Sequence, residues 1–190
     1  MKKKEKGTYG YLIYKRKIET GKTLLLLALS FAIFLIGYFT TGTRRNLLTV
    51  VAVVSVLPAA KQMTTTFLYY RYSSGSQEVY EKIAGCVANA TCLSDIVITA
   101  YDKIIELLHI TIVGKTLVAY STNPKTDEKY GADFIKSMLE KNGYKGVSVK
   151  IYKEEKAYVA RIQEMQKNLA GERTESLEQE IAAVVKAISI

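Results

Sequence analysis

Asp102, Glu106, His109 and Asp127 are side chains of the types that hydrolytic enzymes use. Carboxylates hold a divalent metal or carry a proton, and an imidazole titrates near neutrality. His109 is the only histidine in 190 residues. It follows Glu106 in "IIELLHITIV", a run that reads as a strand, and on a strand a spacing of three turns two side chains to opposite faces. A Glu–His dyad is therefore not expected. With no second histidine or cysteine pair beside it, His109 lacks a zinc ligand set, and neither a metal nor a cofactor is expected. Gly21-Lys22-Thr23 and Gly114-Lys115-Thr116 echo the end of a phosphate-binding loop, but Arg16 and His109 stand where such a loop needs its first glycine. No catalytic residue is assigned, and the first four side chains are the candidates for a hydrolytic alternative.

Two apolar runs come before the elements that would position those groups. Residues 23–43 are uncharged, and at about 1.5 Å per residue 21 of them reach roughly 30 Å, the thickness of a bilayer's hydrocarbon core. Residues 46–60 reach only roughly 22 Å before Lys61. A lysine at a membrane face can lay its stem in the apolar zone and keep its ammonium in water. Beyond it, Phe67, Leu68, Tyr69, Tyr70 and Tyr72 form an aromatic cluster suited to headgroups. Spans over about 23–43 and 46–70 are expected, the second tilted or kinked at Pro58, joined by the tight turn "TTGTRRN". Lys15, Arg16, Lys17, Lys22, Lys61, Tyr69, Tyr70 and Arg71 are the expected membrane-interface residues.

A net charge of +9 invites a nucleic-acid reading, which its distribution does not favour. Residues 1–75 carry 12 Lys and Arg against 2 acids, and residues 76–190 carry 15 against 16. The basic character belongs to the segment beside the membrane, so the expected partner there is a lipid bilayer with anionic headgroups rather than nucleic acid. Eight basic residues precede the first span and two, Arg44 and Arg45, follow it. The positive-inside rule then places both termini of a spanning hairpin in the cytoplasm, as in an integral protein of a bacterial plasma membrane. In a competing arrangement the second segment dips in and returns, leaving the rest of the chain outside. Cys86 and Cys92 read as reduced, buried thiols, and Asn89-Ala90-Thr91 as a chance match to a glycosylation triplet.

The expected organisation is a basic segment over 1–22, the hairpin over 23–72, a linker at 73–76 and a cytoplasmic α/β domain over 77–190. In that domain a helix starts near Gln77, strands follow at 94–102, 104–113 and 116–122, and a helix capped by Thr126 stops at Asn142-Gly143. A fourth strand lies at 146–152, and helices at 154–169 and 175–189 are interrupted near Gly171. The last helix places Leu177, Ile181, Val184, Val185 and Ile188 on one face, opposite Glu175, Glu178, Gln179 and Lys186. These five apolar residues are the expected interaction surface, for a protein partner or a second copy of the chain.

Helix, three strands, helix, strand over residues 76–152 resembles, in element order, the core of the restriction-endonuclease-like PD-(D/E)xK nucleases. That family places an acid on the second core strand and an acid-x-lysine on the third, to hold a metal beside the scissile phosphate. Asp102 or Glu106 could stand for the first acid, but the third strand, "TLVAYST", has neither acid nor lysine. The resemblance implies an inactive relative. The fold expected is membrane-anchored α+β: a transmembrane helical hairpin, then a sheet of about four strands covered by helices in the order αβββαβαα. The function expected is a non-catalytic interaction or self-association module, with a membrane-tethered nuclease-like or hydrolase-like enzyme as the alternative.

Overall fold

The computed structural model describes residues 3–72, 74–87, 90–101, 103–168 and 174–190. Asp102, Ser73 of the linker, Asn89 of the glycosylation triplet and Gly171 lie outside the described residues. The chain forms two compact units, Leu12–Ser73 and, separately, Met1–Tyr11 with Ser74–Ile190.

The first unit is a pair of helices, α1 (Tyr11–Thr41) and α2 (Leu47–Arg71), both long and apolar enough to cross a membrane. α1 starts at Tyr11, well ahead of Thr23. The basic residues before the apolar run are good helix formers, and Glu19 pairs with Lys15 and Lys22 one turn to either side. α2 runs unbroken through Pro58, and Lys61 is exposed on it.

Small residues line the seam between the helices. Thr23, Ser30 and Gly37 on α1, and Ala52, Ala59 and Thr66 on α2, are buried at intervals of seven, the spacing that keeps one stripe facing a partner helix. Ser55 Oγ donates to Ser30 Oγ, and the hydroxyls of Thr23 and Thr66 share a hydrogen bond, both at 2.8 Å. At Gly37 the approach leaves no room for a side chain: a Cβ there would come within 2.7 Å of Leu48 Cβ. Asn46 closes the turn by capping α2 at Thr49 N and donating to the Gly37 carbonyl.

The second unit is a mixed sheet of four strands, β1 (Thr91–Ala100), β2 (Lys103–Val113), β3 (Thr116–Tyr120) and β4 (Ser148–Tyr152), ordered 1-2-3-4. The first three form an antiparallel meander, and β4 joins β3 in parallel. Helices α4 (Glu128–Lys141) and α6 (Glu175–Ile188) cover one face over Ile105, Ile110 and Leu117. Helices α3 (Gln77–Cys86) and α5 (Glu155–Asn168) cover the other over Leu108, Val118 and Tyr120.

β1 and β2 change face together. Ile105 and Leu107 enter the first core, but so do Ile110 and Ile112, while Leu108 enters the second. On β1 the matching jump runs from Leu93 to Ile96 across Asp95, whose φ is +53°. The pairings Ser94↔His109 and Ile96↔Leu107 flank the slip, so the ladder keeps its register. Glu106 and His109, expected on opposite faces, therefore share one.

The edge of β1 is covered by the two ends of the chain. Ser94 N donates to Gly7 O at 2.8 Å, and Ile190 N donates to Val97 O at 2.9 Å. Lys6 Nζ binds Ser189 O. Residues 3–10 thus belong to this unit rather than to a separate basic segment. Three local expectations are also corrected. The cap of α4 is Asp127, which accepts from Tyr130 N, while Thr126 is buried and accepts from Glu106 N. Helix α3 ends at Cys86, and Cys92, on β1, is exposed rather than buried. Glu178, expected on the outer face of α6, is fully buried.

Candidate functional site

Of the groups proposed for hydrolysis, Asp127 and His109 are spent on structure. Asp127 caps α4 and pairs with Lys103 at 2.9 Å, and the Tyr130 N–H and the ammonium hold its carboxyl below the usual carboxylate range. His109 Nδ1 is 2.8 Å from Tyr158 Oη and 3.4 Å from Thr111 Oγ1, and these hydroxyls are 3.0 Å apart. Burial lowers the His109 pKa from 6.5 to about 4, so the ring is neutral at pH 7, and burial raises the Tyr158 phenol. Among the described residues no three His, Cys, Asp or Glu side chains could together hold a metal ion.

His109 is part of a row of rings. Tyr9 stacks on Tyr80 with centroids 4.3 Å apart, Tyr80 and Tyr158 each lie 6.1 Å from His109, and Tyr120 stacks on Tyr158 at 5.5 Å. Strand β2, helices α3 and α5, strand β3 and the N-terminal segment each contribute a member.

The expected interaction helix faces inward. Ile181 and Val185 of α6 are fully buried in the core of their own sheet, with Leu177, Val184 and Ile188 packed against it. Glu178 explains how the helix is registered: its carboxylate accepts from Gly114 N and Thr91 Oγ1, both at 2.9 Å, tying α6 to the β2–β3 turn and the start of β1. No family model matches this chain, nor does any curated protein or solved structure match it significantly.

Within the hairpin, two of the expected interface residues, Lys15 and Lys22, meet at Glu19, which the sequence pattern did not single out. Its carboxylate pairs with Lys15 at 3.2 Å and Lys22 at 2.9 Å, and accepts from Gln62 Nε2 across the seam. Arg16 lies over the ring of Tyr70, 5.1 Å from its centroid, and Tyr69 is buried. Lys17, Lys61 and Arg71 are exposed. Because Gln62 meets Glu19, Lys61 is level with the turn of α1 that carries Lys22. The second apolar run therefore ends at a lysine, Lys61, that is level with Lys22, the lysine just ahead of the first run. The seven-residue spacing of small residues was the signal in the sequence that could have found this pairing.

Asp95 is the second missed residue. Its Oδ2 accepts from Gly10 N at 2.6 Å and from Ser74 Oγ at 2.5 Å. Gly10 precedes α1 and Ser74 follows α2, so one buried carboxylate binds the sheet unit's chain at the residues where it departs and returns.

Proposed function

We propose that the chain is a two-span integral membrane protein whose α/β unit, with residues 3–10, lies at the cytoplasmic face. There it works as a non-catalytic binding or self-association module. The observation that carries this reading is the pairing of the N-terminal segment with β1. Residues 3–10 and 74–190, which flank the two apolar helices, share one folded unit, so the stretch between them would cross a bilayer an even number of times, which favours two spans over the dipping alternative. The concentration of Lys and Arg ahead of the apolar run at 23–43 favours the cytoplasmic side. The use of Asp95, Asp127 and Glu178 as caps and clamps favours a scaffold over a hydrolase.

The test has two parts. Reporters that work only in the cytoplasm, fused to the N-terminus and after Ile190, are both expected to be active, and activity of either one only on the outer side overturns the topology. A photo-crosslinker in place of Tyr101, which is 84% exposed at the tip of the β1–β2 hairpin, is expected to trap a second copy or one recurring partner in cells. A unit that traps neither and hydrolyses a phosphodiester or ester overturns the module.

A further inference from the structure

The residues beside the points of departure and return form an open cleft of about 650 Å³. One wall is the N-terminal segment, with Lys3, Lys4 and Glu5; the other is the first turns of α3, with Gln77 and Glu81. Tyr9 and Tyr80 line it between them, stacked nearly parallel at 11°. Lys4 Nζ donates to Tyr9 O at 2.7 Å and keeps further N–H groups. Glu81 accepts from Gln77 Nε2 at 2.6 Å and keeps acceptor capacity. Both charged side chains are exposed.

We propose that this cleft binds the zwitterionic headgroup of a phospholipid, phosphatidylethanolamine in preference to the others, a site that rests on the membrane reading above. The phosphate is matched by the ammonium groups of Lys3 and Lys4, and the headgroup's ammonium by the Glu81 carboxylate across the aromatic floor. Two features select a primary ammonium over a quaternary one. A carboxylate can accept its N–H groups, and the two tyrosines are stacked on each other rather than opened into the aromatic box that a methylated ammonium needs. The acidic groups in the cleft disfavour a purely anionic headgroup. Gly10 joins Tyr9 directly to α1, and only Gly75 and Ser76 separate Ser74 from α3, so on the membrane reading the cleft lies within a few residues along the chain of the points that lead into and out of the two apolar helices.

The test uses the full chain in detergent, incubated with an equimolar mixture of phosphatidylethanolamine, phosphatidylcholine and phosphatidylglycerol, with retained lipids counted by native mass spectrometry. The wild type is expected to retain phosphatidylethanolamine over each of the others by about two- to fivefold, the range of one partly exposed charge pair. Glu81→Lys is expected to shift retention toward phosphatidylglycerol, and Lys4→Glu to remove the preference. Equal retention of all three lipids, a wild-type preference for phosphatidylglycerol, or variants indistinguishable from wild type overturn the assignment. So does displacement of the lipid by soluble phosphoethanolamine at equal concentration, which would mark a soluble ligand. Extraction of membranes with alkaline carbonate separates the two readings: protein that stays in the pellet without a lipid preference removes the cleft's role alone, whereas protein released to the supernatant removes the membrane reading itself.

Discussion

His109 shows how a residue type that suggests catalysis can serve packing instead. Its ring is shielded from water, and its hydrogen bonds are to two hydroxyls rather than to a charge, so the neutral form is favoured. An unfolded chain takes up a proton at this position near pH 6.5, whereas the folded one waits until about pH 4. Between those values the unfolded state binds more protons, so stability rises with pH across the window; the full contribution is present above 6.5 and is lost as pH falls toward 4. The shift of 6.5 to about 4 corresponds to at most about 3 kcal/mol. Denaturant unfolding of the sheet unit at pH 7 and pH 4.5 measures it. In His109→Gln, which keeps hydrogen-bonding capacity without titrating there, the difference between the two pH values is expected to shrink. An unchanged difference would place the titration elsewhere.

At the scale of elements, two helices illustrate opposite uses of an apolar stripe. α6 spends its stripe on its own sheet, so replacing Ile181 and Val185 with Glu is expected to destabilise the unit by at least about 3 kcal/mol, because charged groups would be forced into a core without partners. Loss of protease resistance and of the cooperative melt measures that effect; a variant that remains folded but no longer self-associates would reinstate α6 as an interface. The hairpin instead relies on small residues that bring two backbones together. Gly37→Leu is expected to force the helices apart near the turn and cost about 1–3 kcal/mol, as overpacking does in other close contacts. The readout is a disulfide engineered in place of Ser30 and Ser55, a seam pair one heptad from Gly37. Oxidation is expected to be rapid in an otherwise unaltered chain and slower with Gly37→Leu, and equal rates would show that Gly37 does not set the approach.

For the whole molecule, the residue to perturb is Asp95. It occupies a left-handed backbone conformation and binds Gly10 and Ser74. Asp95→Asn keeps an acceptor and a side chain that tolerates positive φ, so its effect is expected to be small. Asp95→Val removes both hydrogen bonds and adds about 1–2 kcal/mol of backbone strain. Amide exchange at Gly10 and Ser94 is expected to accelerate in the Val variant while β2 and β3 keep their protection. Uniform loss of protection would mean that Asp95 supports the whole sheet rather than the chain's points of departure and return.

The sequence by itself determined the elements and their order. Runs of 21 and 15 uncharged residues, alternating β-branched strands and amphipathic helices are local patterns, and each corresponds to an element whose bounds lie within a few residues of those expected, except at the start of α1. The start of α1 was missed because a change from apolar to charged residues was taken as an end, although Lys, Arg and Glu continue a helix readily. Only the tertiary structure decided which faces meet. The slip at Asp95 and Leu108 puts Glu106 and His109 on one face. Strict alternation forbids that result, and it arises from one left-handed residue whose side chain binds chain segments far from it in sequence. In the same way Glu178 looks like a solvent-facing acid by helical periodicity, yet it is buried because Gly114 and Thr91 present donors to it. Such pairings depend on which distant donors the fold brings within about 3 Å, a distance that residue spacing along the chain does not encode.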